Sequence, residues 1–114
     1  GGGAAGAEPP LAEPQPTIRH CLTHTAGFSY GFSEPNATIA AQLSALYSSS
    51  RDCAPAEYAT RLAAVPLCFA PGTQFRYGMA LDVLGIVVER VARKSLDAVV
   101  RERVCVPLNM RDTH

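Results

Sequence analysis

The sequence predicts a mainly α-helical chain, and three observations carry this prediction. Apolar residues recur at helical spacing in five segments, turns rich in Pro and Gly separate these segments, and no segment is convincingly typical of a β-strand. The chain has 114 residues, of which 47% are hydrophobic and 18% charged. That length and composition suit at most one folded domain, so we expect five helices joined by short turns, without internal repeats.

The first two helices are predicted from capping residues and apolar faces. Thr17 is a suitable N-cap for the first helix, and Gly27 is expected to end it in a left-handed conformation. The second helix is predicted over residues 38–47, and the serine-rich residues 48–52 are expected to break it. The apolar faces consist of Ile18, Cys21 and Leu22 in the first helix and of Ile39, Leu43 and Leu46 in the second.

Proline and serine mark the starts of the third and fifth helices. Pro55 suits the first position of the third helix, and Pro66 is expected to end that helix. The fourth helix, residues 79–93, is the most hydrophobic, and its run at residues 86–88 predicts burial on more than one side. Ser95 is predicted to cap the fifth helix. The residues expected to face inward from this last helix are Leu96, Val99, Val100 and Val104.

Charge and hydropathy exclude several classes of partner. Ten basic residues balance ten acidic residues, so nothing in the net charge favours nucleic acid or an anionic membrane surface. No apolar run approaches the ~18–20 residues that span a bilayer. Residues 1–16 are rich in Gly, Ala and Pro and lack the pattern of a signal peptide. We expect them to be a flexible linker or a cut end, and residues 17–114 to form a partial domain.

The four cysteines do not indicate a metal site. They stand at positions 21, 53, 68 and 105, without the short Cys-x₂₋₄-Cys spacing of zinc sites. Four cysteines allow three disulfide pairings, but the apolar neighbours of Cys21, Cys68 and Cys105 favour buried free thiols. Residues 36–38 form a glycosylation sequon that matters only in a secreted protein. The sequence leaves the compartment and the oligomeric state open.

Residues 71–85 (PGTQFRYGMALDVLG) place a tyrosine where a turn leads into a helix. A Pro-Gly turn is followed by a short extended arm, and the fourth helix begins just after Tyr77. A helix N-terminus favours negative charge, which would suit a reactive phenolate. On residue patterns alone, Tyr77 is more simply interpreted as covering the end of a hydrophobic helix.

Three separated segments resemble one enzyme family. Residues 17–27 (TIRHCLTHTAG), residues 71–85 and residues 107–113 (PLNMRDT) are similar, in order, to segments of the serine hydrolases related to class C β-lactamases, penicillin-binding proteins and carboxylesterases. This resemblance implies that the chain is the helical-domain fragment of an α+β fold. It also implies hydrolysis of a small-molecule ester or amide through an acyl-serine, without a metal or cofactor.

The resemblance gives Tyr77 the role of the catalytic tyrosine, which helps to move the proton of the attacking serine. The family's Tyr-x-Asn is changed here, because Met79 stands in place of the Asn. We interpret this change as the loss of an amide that would bind a lactam side chain, so Met79→Asn is expected to favour amide or lactam substrates. These residues resemble the esterase branch more than true β-lactamases.

The nucleophile of the family is missing from the sequence. No Ser-x-x-Lys is present, and Lys94 is the only lysine. The resemblance places the serine before residue 1 and the KTG-like strand after residue 114. An alternative hypothesis is a non-catalytic module of the same family, used for binding or structure. A complete sequence with or without Ser-x-x-Lys would distinguish these two hypotheses.

Two further motifs are interpreted as non-functional. Residues 27–31 (GFSYG) match the Gly-x-Ser-x-Gly elbow of α/β-hydrolases, but a helix rather than a strand precedes the motif. Ser29 is therefore predicted to be an ordinary loop serine, and an α/β-hydrolase using it is the weakest hypothesis. His20 and His24 have the spacing of zinc ligands but lack the glutamate and third ligand of such sites. We predict that they hydrogen-bond locally.

Overall fold

The computed structural model describes residues 14–114, which form five α-helices and contain no β-strand. The predicted mainly α-helical class is therefore confirmed for this part of the chain. A 3₁₀ turn, Ser50–Asp52, extends α2, and a π-helical turn, Arg101–Cys105, extends α5. Residues 1–13 of the expected linker lie outside the described residues. The helices are α1 (Ile18–Leu22), α2 (Ala37–Ser49), α3 (Pro55–Ala63), α4 (Ala80–Ala92) and α5 (Leu96–Val100).

Local side chains start most of the helices. The Thr17 hydroxyl accepts a hydrogen bond from the His20 N–H, and His20 Nδ1 accepts one from the Thr17 N–H, which completes a capping box. Asn36 caps α2 by accepting from two backbone N–H groups at 3.1 Å each. Pro55 occupies the first turn of α3, and Ser95 caps α5, as predicted.

The predicted end of α1 at Gly27 is wrong, because the helix ends at Leu22. The backbone reverses at His24, which adopts a left-handed φ of 55°. Gly27 does have a positive φ, 99°, but it lies five residues beyond the helix end and does not cap the helix. A Cβ on Gly27 would lie 2.6 Å from the carbonyl oxygen of Phe69, so this glycine permits close packing of two loop segments.

The predicted break of α2 at residues 48–52 is also wrong, because the helix continues to Ser49 and the 3₁₀ turn continues to Asp52. The serine hydroxyls donate hydrogen bonds to backbone carbonyl oxygens of the preceding turn, so the chain can stay helical. Ser48 donates to the carbonyl oxygen of Ser44 at 2.9 Å, and Ser50 donates to that of Tyr47 at 2.8 Å. Bonds of this kind let serine remain in a helix that its low propensity disfavours.

The core lies where α2, α3 and α4 meet. A second, smaller cluster of Cys21, Ala26 and Ala80 joins α1 to α4. Cys21 and Cys105 are buried free thiols, as predicted, whereas Cys68 is only partly buried. Burial raises the pKa of the Cys21 thiol, which makes it less reactive. The main cluster consists of Leu43, Leu46, Tyr58, Leu62 and Met79.

The far faces of α4 and α5 are more exposed than predicted. In the run at residues 86–88, Ile86 and Val87 are only partly buried and Val88 is exposed, so burial on several sides is not observed. Of the four residues expected to face inward from α5 and the turn after it, only Val99 is partly buried. Val91 is 80% exposed. The exposed apolar residues of this region are Val88, Val91, Leu96, Val100, Val104, Val106, Leu108 and Met110.

None of the helices in residues 14–114 has the length and apolar composition that a membrane crossing requires.

Candidate active site

Tyr77 lies at the end of an extended arm, three residues before α4 begins at Ala80. The arm is attached to the chain segment that follows α1. The N–H of Arg76 donates to the carbonyl oxygen of His24 at 2.8 Å, and the N–H of Gly72 donates to that of Thr25 at 2.8 Å. Tyr77 is 59% exposed, and its hydroxyl makes no hydrogen bond within residues 14–114. The phenol is therefore accessible on a backbone that tertiary contacts hold.

Two aromatic side chains flank the Tyr77 ring. The centroid of the His24 ring lies 5.0 Å away with the planes tilted by 39°, and that of Tyr30 lies 5.5 Å away with a tilt of 57°. Such offset contacts favour one ring orientation. His24 also contacts Phe75 edge to face at 6.0 Å. The left-handed turn at His24 and the loop that carries Tyr30 thus bring both rings to Tyr77.

The Tyr30 hydroxyl makes a long hydrogen bond of 3.5 Å to Asp82 Oδ2. Burial raises the pKa of Tyr30, and the charge of Asp82 and the neighbouring Tyr77 raise it further. Tyr30 is therefore a neutral donor at physiological pH. Sequence reasoning missed Tyr30, because it precedes Tyr77 by 47 positions and no local pattern links the two.

A cleft of about 490 Å³ has Tyr30 in its wall and thus shares this residue with the group around Tyr77. Tyr77 does not line the cleft. The volume of the cleft is therefore not enough to identify it as the substrate site. Tyr58 forms part of its wall, and burial followed by the charge of Asp82 raises the pKa of Tyr58 to about 12. The other lining residues include Tyr47, Arg51, Cys53, Ile86 and Glu89.

Met79 lies in the core rather than on the surface beside Tyr77, which corrects our interpretation of this position. Its side chain is 0% exposed and packs in the main core cluster against residues of α2 and α3. The sequence places Met79 two residues from an accessible tyrosine, but the backbone turns into α4 at this point and directs the side chain inward.

Gly78 packs directly on the backbone of residues 28–36, the part of the α1–α2 connection that carries Tyr30 (the Tyr30 loop). A Cβ on Gly78 would lie 2.5 Å from Ser29 Cα and 2.8 Å from the Phe28 carbonyl oxygen. We expect Gly78→Ala to lower the free energy of unfolding by about 1–3 kcal/mol, because backbone atoms must move apart. Urea denaturation measures this.

Gly85→Ala is the matched control for Gly78→Ala. A Cβ on Gly85 would meet only the flexible end of Leu96 at 3.1 Å, and alanine favours the interior of α4 by about 1 kcal/mol. We expect this variant to be neutral or stabilising. Equal losses of stability in the two variants would contradict the close packing at Gly78.

A partly buried ion pair joins the Tyr30 loop to the arm that carries Tyr77. The Arg76 guanidinium binds Glu34 Oε2 and lies 5.2 Å from the centroid of the Phe69 ring. Burial raises the pKa of Glu34, but hydrogen bonds from Cys68 and the Asn36 N–H, with the charge of Arg76, outweigh this and lower it. Glu34 therefore stays ionised at neutral pH, and its contribution to stability is lost only as the pH falls through its depressed pKa.

The two motifs interpreted as non-functional have local structural partners. Ser29 is 0% exposed, and its Oγ lies 3.1 Å from Ser33 Oγ and accepts from the Gly31 N–H. It is a loop serine, as predicted. His20 bonds to Thr17, which confirms local hydrogen bonding for that histidine. The same prediction is not confirmed for His24, whose Nδ1 is buried without a hydrogen-bond partner in residues 14–114 and whose ring packs on Tyr77.

The sequence model of the beta-lactamase family matches residues 8–114, so the chain belongs to this family. This agrees with the resemblance of the three segments. Among characterised relatives, the chain is 44% identical over 102 residues to Esterase EstB of Burkholderia gladioli, a match that covers 89% of this chain and 26% of the esterase. It is 35% identical over 109 residues to the Lovastatin esterase of Penicillium rubens, covering 93% of this chain and 26% of that esterase.

The fold is also similar to a solved structure. EstCE1, described as a hydrolase with promiscuous acyltransferase activity, superposes with a TM-score of 0.62 at 31% sequence identity. The match covers 93% of this chain and 27% of EstCE1. The chain therefore spans about a quarter of the length of the relatives that it matches.

Proposed function

We propose that this chain is the helical part of a serine hydrolase that cleaves small-molecule esters or amides, with Tyr77 as its proton-transferring phenol. The observation that carries the proposal is the accessible Tyr77 side chain, flanked by the rings of His24 and Tyr30. The resemblance of residues 71–85 to the family motif is the reason for assigning it the role of the family tyrosine. Membership of the beta-lactamase family and the similarity to two esterases support this reaction class.

In the proposed reaction, the serine Oγ of a Ser-x-x-Lys segment attacks the substrate carbonyl and forms a new C–O bond. The deprotonated oxygen of Tyr77 accepts the serine proton and becomes the phenol, and it then gives that proton to the leaving alcohol or amine as the scissile bond breaks, which restores the phenolate. Water then attacks the acyl-serine and gives up a proton, and the serine oxygen regains a proton as the acid departs. This chain contributes the phenol and the rings that orient it.

We propose that the remaining parts of the fold pack on the exposed apolar faces of α4 and α5. Eight exposed apolar residues in one short region are unusual for an isolated small domain. The relatives, about four times as long, have enough additional chain to cover them. In this arrangement residues 17–114 form one wall of the active-site cleft.

Acyl transfer to an alcohol is a second candidate activity, and the description of EstCE1 favours it. The same acyl-serine serves both outcomes, because an alcohol can replace water in the second step. Adding a primary alcohol to the full-length protein and measuring the ratio of ester to acid among the products distinguishes transfer from hydrolysis.

We expect the 114-residue chain alone to hydrolyse p-nitrophenyl butyrate no faster than buffer, because it lacks Ser-x-x-Lys. The full-length protein should hydrolyse it, and a fluorophosphonate should label a serine outside this segment. Ester turnover by the chain alone, with label on Ser29, would overturn the proposal. A full-length protein that is folded but neither labelled nor active would instead support the non-catalytic module.

A further inference from the structure

The ion pair between Glu34 and Arg76 is more enclosed than the other two ion pairs of residues 14–114. The exposed fractions of the two side chains are 3% for Glu34 and 19% for Arg76, whereas each partner in the other pairs is more than half exposed. Both oxygens of the Glu34 carboxylate are engaged, because Oε1 accepts from the Asn36 N–H at 2.9 Å and Oε2 binds Arg76.

Arg76 is held at three points immediately before Tyr77. Its guanidinium binds Glu34 and lies over the Phe69 ring, and its backbone N–H donates to the His24 carbonyl oxygen. On the other side of Tyr77, Gly78 rests on the backbone of the Tyr30 loop. The tyrosine is thus fixed from both sides, and the same contacts hold its two ring neighbours.

Stability alone is a poor reason for an ion pair that is largely withdrawn from water, because the loss of hydration offsets much of the attraction between the charges. The position of the Glu34–Arg76 pair gives a better reason for its presence. Glu34 and Arg76 are 42 residues apart, and their contact joins the loop that carries Tyr30 to the arm that carries Tyr77. A well-placed apolar pair would bury as much surface but would lack the directional hydrogen bonds that fix the arm.

We propose that Glu34 and Arg76 are positioning residues, which hold the Tyr77 phenol in register with His24 and Tyr30 for proton transfer. This inference rests on the proposed role of Tyr77. Neither residue touches the substrate, and both act through the backbone of Tyr77. A misplacement of about 1 Å in a reacting group can lower a rate by about 10²-fold, so a small movement of the arm is sufficient.

The first experiment measures the position of Tyr77 without using activity. In the full-length protein, 3-fluorotyrosine at position 77 reports the packing of its ring on His24 and Tyr30 through its ¹⁹F chemical shift and line width. We expect Arg76→Met to move this resonance toward that of a free tyrosine, and Arg76→Lys to move it less. Arg101→Met is the matched control, because Arg101 forms an exposed ion pair with Asp97 and should leave the resonance unchanged.

The second experiment measures the rate. We expect Arg76→Met and Glu34→Gln to lower kcat by about 10–100-fold with KM changed less than about twofold, because orientation rather than binding is lost. Arg76→Lys should recover part of kcat. If Arg76→Met does not fold, the double variant Glu34→Gln with Arg76→Gln replaces the ion pair by two uncharged amides, and the same shift and loss of kcat are expected from it.

The two experiments separate this inference from the proposed function. A displaced ¹⁹F resonance with unchanged kcat, or an unchanged resonance, would overturn the positioning role. If Tyr77→Phe leaves kcat intact, the proposed function fails. The inference then fails as a statement about catalysis, while the ¹⁹F shift alone still shows whether the ion pair orients the ring.

Discussion

We expect Tyr77→Phe in the full-length protein to lower kcat for its best ester by about 10²–10⁴-fold, the usual contribution of general acid–base catalysis. The change removes the hydroxyl and keeps the ring that packs against His24 and Tyr30. Because that hydroxyl makes no hydrogen bond within residues 14–114, the free energy of unfolding should change by less than about 0.5 kcal/mol. Steady-state kinetics and urea denaturation measure the two quantities.

Tyr47→Phe is the matched control for this prediction. Tyr47 is 56% exposed, close to the value for Tyr77, and its ring contacts Tyr30 rather than Tyr77. Removing its hydroxyl should leave kcat within about twofold of the wild-type value, since the residue takes no part in the proposed proton transfer. A Tyr77→Phe protein with kcat close to the wild-type value would show that Tyr77 only covers the end of a helix and takes no part in proton transfer.

The second large effect is on stability, and Met79→Asn should cause it. The side chain of Met79 is fully buried in the core, so the variant loses apolar packing and leaves an amide without a hydrogen-bond partner. We expect the free energy of unfolding to fall by about 3–5 kcal/mol. Because Met79 is buried, we now expect this loss of stability instead of the preference for amide or lactam substrates that the sequence suggested.

Met110→Asn is the control for Met79→Asn. Met110 is 40% exposed in the 114-residue chain, so the same substitution should change the stability of that isolated chain by less than about 0.5 kcal/mol. Urea denaturation of both variants tests the difference. A Met79→Asn protein that keeps its stability and gains lactam turnover would show that position 79 faces the substrate.

The starts of the helices could be predicted because their causes are local. Thr17, Pro55 and Ser95 act on backbone groups within three residues, and the three helices that they start begin as the sequence predicted. The helix ends were less predictable. A run of serines disfavours a helix on propensity alone. The hydroxyls of residues 48–50 nevertheless donate to carbonyl oxygens in the preceding turn, so the helical conformation extends through these residues.

The candidate site was predictable only in part. The segment around Tyr77 could be recognised from its turn, its helix and its resemblance to a family. Its neighbours Tyr30 and Glu34 could not, because they belong to a loop more than 40 residues away whose path depends on packing. The apolar residues of α4 and α5 were predicted to be buried from their composition, but composition does not specify which other segment covers a face.

By itself, then, the sequence determined the helical class, the starts of three helices, the family and the candidate tyrosine, since each depends on neighbouring residues or on a motif. The tertiary structure alone decided that Met79 points into the core, that Gly78 rests on the Tyr30 loop and that Glu34 binds Arg76. These contacts join segments distant in the chain. They depend on how complete helices pack, and a local pattern of residues does not encode that packing.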